Sequence, residues 1–223
     1  MRSRSVSEVV LTGTVEIPAL PARLVADWER ELSSRPGLEP GDVDLLPLAR
    51  ARMRWPDYRH CVQAAADWVR ASGLGDLLAD SDIALMACRG ARYHHDGVQY
   101  GGSAFCNLFL SDDQGLDLHF PGARHRIPLV RGTVVVFDTG QPHAVVPRGR
   151  SDFDASDFAA GRDGTQVFLT WELPIEAAAV VRVLRIDIDP STSLQFADEQ
   201  VRLNGARVEV CPESGRWYGA DPG

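Results

Sequence analysis

The chain contains no lysine: all 23 of its basic residues are arginine. Any permanently charged group that grips an anion must therefore be a guanidinium, with its planar fork of donors. Basic residues are also outnumbered, 23 against 31 acidic, for a formal net charge of −8 and a pI near 5.2. That balance, with no basic stripe, argues against a phosphate-backbone partner, and no nucleic acid is expected. Long apolar runs are missing too. No stretch reaches the roughly 18 residues of a membrane span. The basic start Met1-Arg2-Ser3-Arg4-Ser5-Val6 leads into no apolar segment of a secretory signal. The expectation is a cytoplasmic protein with no membrane partner. Cys61, Cys88, Cys106 and Cys211 are far apart and form no C-x-x-C, which argues against a disulfide framework and for buried thiols. Internal repeats, low-complexity tracts and linkers are absent as well. One domain over residues 1–223 is expected, long enough for a single good core.

Helical periodicity comes first among the features that are present. After a strand-like run from Val9 to Ile17, ended by Pro18, the residues Leu20, Leu24, Trp28 and Leu32 recur every fourth position among charged neighbours. That is an amphipathic helix with one core-facing stripe, stopped by Ser33-Ser34-Arg35-Pro36-Gly37. Leu38 to Arg54 is punctuated by Pro and Gly and reads as an irregular segment. Asp57 to Ser72 is a second helix, with Cys61, Ala65 and Val69 on one face and Gly73 as its stop. The two helices make a brace over about 19–75, and Trp28 and Trp68 read as core.

From Ile83 the pattern switches to short apolar runs separated by turn residues. Eight strands are expected: Ile83 to Cys88, Ala91 to His95, Ser103 to Leu110, Leu116 to Phe120, His125 to Val130, Thr133 to Phe137, Ala144 to Val146, and Thr165 to Leu173. Eight short antiparallel strands in one domain suggest a mainly β (α+β) fold, a double-stranded β-helix also called a jelly roll or cupin-like barrel. Its core would span about 83–174, with the helices against one sheet. A C-terminal β extension over about 175–223 completes the expectation, with Val181 to Ile188 as a strand and Val201 to Val208 as a hairpin turning at Asn204-Gly205. Such strands cover a barrel end or pair with a second copy, so a monomer and a homodimer both fit.

The chemistry concentrates between Tyr93 and His143. His94 and Asp96 stand two apart at a strand end, so both side chains leave one face and can converge on one ion. His143 opens the seventh strand, after the turn Asp138-Thr139-Gly140-Gln141-Pro142. Two histidines and one carboxylate in this order are the sequence form of a facial triad that holds one face of Fe(II) and leaves the other open. His95, between the two, would point the other way and takes a supporting or substrate-side role. His60 and His125 read as surface residues, while His119 on the fourth strand is ambiguous.

With these residues in place, the segment from Ala91 to Leu173 resembles the 2-oxoglutarate- and Fe(II)-dependent oxygenase superfamily, in its smaller bacterial members. The resemblance implies His94, Asp96 and His143 as iron ligands and as the catalytic set. It implies 2-oxoglutarate as co-substrate, O2 as oxidant, and succinate and CO2 as co-products of hydroxylation at an unactivated C–H. Halogenases of the superfamily have a small residue in place of the carboxylate, so Asp96 argues for hydroxylation. The far carboxylate of 2-oxoglutarate should meet a basic residue on the eighth strand. Here the chain departs from the family, because a long acidic loop from Gly149 to Gly164 precedes that strand. Arg162, with Thr165 as a hydroxyl partner, is the favoured anchor; Arg148, Arg150, Arg92 and Arg126 are alternatives. Asn107, Tyr100 and Gln99 are candidate lining residues. The expected substrate is a small molecule, an amino acid or a natural-product intermediate.

Two other readings stay open at this point. One is a cupin-type metal dioxygenase or isomerase that needs no 2-oxoglutarate, although no His-x-His with a downstream Glu is present. The other is a non-catalytic jelly-roll binding protein with structural histidines.

Overall fold

The computed structural model describes residues 2–34, 40–158, 164–193, 201–203 and 206–219. The chain opens with β1 (Arg2–Arg4), β2 (Val10–Thr14) and α1 (Ala22–Ser34). The expected helix stop at Arg35-Pro36-Gly37 lies outside the described residues. Next come β3 (Val43–Leu46) and α2 (Leu48–Arg52), where the sequence suggested only an irregular segment. Four residues are too few to show a period. What makes β3 a strand is the edge offered by β4 (Ile83–Arg89), with Leu46 opposite Leu85.

The second helix, α3 (Tyr58–Val69), runs on through one wide turn over Arg70–Leu74 that ends at Gly73 and Gly75. Both glycines have positive φ, where other residues are strained. Then follow β5 (Ala91–His94), α4 (Gly97–Tyr100), β6 (Ser103–Phe109) and β7 (Leu116–Phe120). The remaining strands of the two larger sheets are β8 (His125–Pro128), β9 (Thr133–Asp138), β10 (His143–Pro147) and β11 (Thr165–Pro174). All eight expected strands are present.

The tail corrects one expectation. Val181 to Ile188 is not a strand: α5 (Ala178–Leu184) occupies its first half, capped by Arg185 in the left-handed region. Val180 and Leu184 lie one helical turn apart, and both are completely buried in the helix-side core, a gain the local alternation does not register. Only then does β12 (Ile188–Ser193) begin, paired with β1, and β13 (Arg202–Leu203), β14 (Ala206–Val210) and β15 (Trp217–Gly219) form a small sheet. The expected Asn204-Gly205 turn is outside the described residues, although β13 and β14 pair across it as a hairpin requires.

Among the described residues, the larger sheet has the order β2-β9-β6-β11-β4-β3 and a second has β5-β10-β7-β8, with antiparallel neighbours throughout. Strand alternation divides the larger sheet's side chains between two cores. On one face Leu85, Ala87, Cys106, Leu108, Val134, Val136, Leu169 and Trp171 pack with Leu24, Trp28, Cys61, Ala65 and Val69 of the helices. On the other, Phe109, Val135, Phe137 and Phe168 meet Leu118, Phe120 and Val145 of the smaller sheet. The Phe120 and Phe137 rings meet edge-on at 5.1 Å across the gap. No helix among the described residues is long and apolar enough to cross a membrane.

Candidate metal centre

The two sheets open at one end, where β5 stops and β10 starts. His143 pairs with His94 in the ladder, so the two side chains leave the same face, and their rings stand 4.4 Å apart. Asp96, two residues beyond His94, is fixed through its backbone: its N–H donates to the Thr139 carbonyl at 2.8 Å. That bond ties the end of β5 to the turn that carries His143. The Asp96 carboxylate then lies 3.7 Å from His94 Nε2 and 3.5 Å from His143 Nε2. One ligand atom from each of the three residues falls within 4.8 Å of the others, a spacing that fits a single ion.

Hydrogen bonds set which imidazole nitrogen is available. His94 Nδ1 bonds the Arg92 carbonyl at 2.7 Å, and His143 Nδ1 bonds the Gln141 carbonyl at 2.9 Å. A carbonyl only accepts, so both Nδ1 atoms carry the proton and both Nε2 lone pairs face Asp96. Metal-binding histidines are usually oriented in this way.

Electrostatics make the triad uncomfortable without a cation. Burial raises the Asp96 pKa above its ordinary value, against the opposing pull of His94 and His95. Burial holds the His143 pKa well below 6.5, helped by His94, while the bond to Gln141 works the other way. The signs follow. In the metal-free fold, ionised Asp96 costs stability above its raised pKa. His143 costs stability as pH falls through 6.5, because the unfolded imidazole takes up a proton that the folded one refuses. A divalent ion relieves the Asp96 cost and competes with its proton. Fe(II) affinity is therefore expected to fall with pH already above 3.8, the ordinary carboxylate value, by up to about one log unit per pH unit for each proton displaced. Chelator competition between about pH 7.5 and 5 measures it, and a flat profile contradicts the picture.

The remaining expected site residues divide by position. Asn107 on β6 is buried on the face that meets the smaller sheet, and its side-chain carbonyl accepts from Thr170 Oγ1 at 2.8 Å. Thr165 goes the other way: alternation along β11 puts it on the helix side, lining a groove with Leu20, Val25 and Trp28. Gln166, one residue on, has the inward orientation, with a fully buried side-chain amide lacking a partner among the described residues. Arg148 is engaged on the outer surface, bonding Asp113 and, through Nε at 3.1 Å, buried Asp117. Arg126 reaches the same Asp117, and Arg150 bonds Asp152. Arg92 ion-pairs with Asp42 at 2.9 Å beside the Phe153 ring. Arg162 lies outside the described residues. His95 accepts a hydrogen bond from the Gly97 N–H and rests against Trp217.

One buried group beside the candidate site went unread in the sequence. Asp138 is fully buried beneath the His143 turn, held by both terminal nitrogens of Arg4 and by the Ser7 and Gly140 N–H groups. Its partner stands 134 residues away in the chain, which no local signal reports.

No family model and no curated protein sequence matches this chain. Among solved structures it is similar to a Pseudomonas putida prolyl-4-hydroxylase, at 21% identity and a TM-score of 0.38, covering 74% of this chain and 92% of that one. It is similar to the viral collagen prolyl hydroxylase of Paramecium Bursaria Chlorella virus-1 in its 2OG complex, at 9% identity and TM-score 0.40, covering 74% and 94%. A third likeness is to SnoN, a non-heme alpha-ketoglutarate-dependent epimerase from nogalamycin biosynthesis, at 13% identity and TM-score 0.36, covering 88% and 91%. The structural neighbours are thus prolyl hydroxylases and 2-oxoglutarate-dependent enzymes. The chain's own fold and site define a mainly antiparallel β protein with a His/Asp/His donor set compatible with iron.

Proposed function

We propose that the chain is an Fe(II)- and 2-oxoglutarate-dependent oxygenase, a one-domain double-stranded β-helix that hydroxylates a small molecule. The observation that carries this reading is the triad itself: two Nε2 lone pairs and one carboxylate within 4.8 Å, each imidazole oriented by a backbone carbonyl. Two imidazoles and a carboxylate on one face suit a non-haem ferrous ion and leave three positions for other ligands. With 2-oxoglutarate and O2, the bound iron supplies oxidation of a C–H bond, releasing succinate and CO2.

The protein's part is positional. His94 and His143 hold the ion from paired strands, and Asp96 balances charge from the adjoining loop. Phe120 and Phe137, with rings 5.9 and 4.8 Å from that of His143, keep water from its buried side. Asn107 and Thr170 form a polar pair on the inward face, suited to a carboxylate oxygen of the co-substrate. The inward residues of β11, Gln166, Phe168, Thr170 and Glu172, include no cation, so Arg162 remains the proposed charge partner. That lack of a cation favours, as second reading, a metal-dependent dioxygenase that works without 2-oxoglutarate.

One anaerobic titration separates the readings. Fe(II) and 2-oxoglutarate added together should produce a weak visible charge-transfer band that neither gives alone. Iron binding without the band favours the second reading. If iron does not bind at all, the oxygenase proposal fails and a jelly-roll binding protein is left.

A further inference from the structure

The outer face of the smaller sheet carries a second pocket, which the oxygenase reading does not use. It is an open pocket of about 700 Å³ lined by His119, Arg124, Arg126, Ser151, Arg216 and Trp217, among others, with no acidic side chain among the described residues of its lining. In a chain of formal charge −8, a cavity with three guanidinium groups is a local reversal of sign. Of the nearby carboxylates, Asp152 takes Arg150, and Asp117 takes Arg148 together with the pocket's own Arg126, so the uncompensated charge of the pocket comes from Arg124 and Arg216. Arg126 is thereby held in place, with a further bond to the Arg150 carbonyl. Arg124 and Arg216 are exposed and form no ion pair among the described residues. Arg124 adopts a left-handed backbone with φ 52°, at the tip of the β7–β8 hairpin, where a residue with a long side chain is strained.

His119 is oriented for the same pocket. It stands opposite Arg126 in the ladder, and its Nδ1 meets the Tyr93 hydroxyl at 2.6 Å. That hydroxyl donates its own proton to the Ser151 carbonyl at 3.0 Å, so it accepts from His119 Nδ1–H. Nε2 is left with a lone pair for a proton shared with a ligand. Guanidinium forks and a hydroxyl are donors that recognise a phosphate oxyanion, and the imidazole Nε2 accepts from a P–OH of the same group. The Trp217 ring supplies a flat apolar wall beside them.

We propose that this pocket binds the phosphate group of a small phosphate monoester, with the organic part against the Trp217 ring. The metal centre takes no part, so the test uses full-length, metal-free protein and stands apart from the oxygenase reading. Calorimetry with phenyl phosphate and inorganic phosphate, at ionic strength fixed with chloride, supplies the two probes. Phenyl phosphate should bind saturably and about fivefold or more tighter than inorganic phosphate. The double variant Arg124→Ser, Arg216→Ser should weaken both roughly tenfold or more at an unchanged unfolding midpoint, since both side chains are exposed and unpaired. Trp217→Leu should weaken phenyl phosphate alone. The proposal is overturned if neither probe saturates, or if the arginine variant binds as the parent does. Equal affinity for the two probes overturns the monoester and leaves a free-phosphate site.

Discussion

The His143→Ala protein is expected to bind Fe(II) at least ~100-fold more weakly than the parent and to gain no thermal stability from it. Removing an outer partner of a metal ligand already costs roughly 10–100-fold in affinity, and His143 is proposed as a ligand itself. The residue is 6% exposed, and no other imidazole is placed to take over: His95 turns toward Trp217, and His119 faces the opposite side of the sheet. The thermal readout follows from linkage. An ion present at ~1,000 times its dissociation constant stabilises the native state by about 4 kcal/mol. For a chain of this length that amounts to about 8–16 °C in Tm, at roughly 2–4 °C per kcal/mol. The parent should show this rise with Fe(II) under anaerobic conditions and lose it to a chelator. His119→Ala is the matched control, because its backbone pairs with Ala144, next to His143, while its ring lies on the far face. An equal rise in the His143→Ala protein would remove the triad from the proposed function.

The triad could be read in the sequence because its determinants are local. His94 and Asp96 share a strand end, the turn before His143 holds a Gly and a Pro, and the eight strands announce themselves as short apolar runs between turn residues. Other features depend on what meets what. Val181 to Ile188 alternates well enough to pass for a strand, yet burial of Val180 and Leu184 makes its first half a helix. Val43–Leu46 becomes a strand only because β4 has a free edge. The residues proposed for the co-substrate show the sharpest limit. A strand has a period of two, so a shift of one residue exchanges the face toward the smaller sheet for the helix face, and that separates Thr165 from Gln166. Arg148 illustrates the other difficulty. Its charge is obvious in the sequence, whereas its commitment to Asp113 and Asp117 appears only when β7 and β10 pair.

Arg4→Ala is expected to cost about 3–5 kcal/mol of stability, far more than a terminal residue usually does. Asp138 has a side-chain exposure of 0% and Arg4 one of 12%, so the ion pair is shielded from water. Both carboxylate oxygens are used, at 2.7 and 2.9 Å to Arg4 and at 2.8 and 2.9 Å to the Ser7 and Gly140 N–H groups. Arg4 also bonds the Gly101 carbonyl through Nε and a terminal nitrogen. Without the guanidinium, a buried carboxylate retains two neutral donors and no counter-charge. Asp138→Asn tests the partition from the other side, because it removes the charge yet keeps an acceptor for one of the two backbone donors. It should therefore cost less than Arg4→Ala, and the double variant should cost less than the sum of the two. The turn held by Asp138 leads directly to His143, and the Thr139 carbonyl in that turn holds Asp96. Fe(II) affinity in the Arg4→Ala protein should accordingly fall about tenfold, with the ligands themselves untouched. Urea unfolding and Fe(II) titration of the same samples read the two effects together. A stability change within about 0.5 kcal/mol, the range of an ordinary surface substitution, would mean that the N-terminal strand does not brace the metal-binding turn.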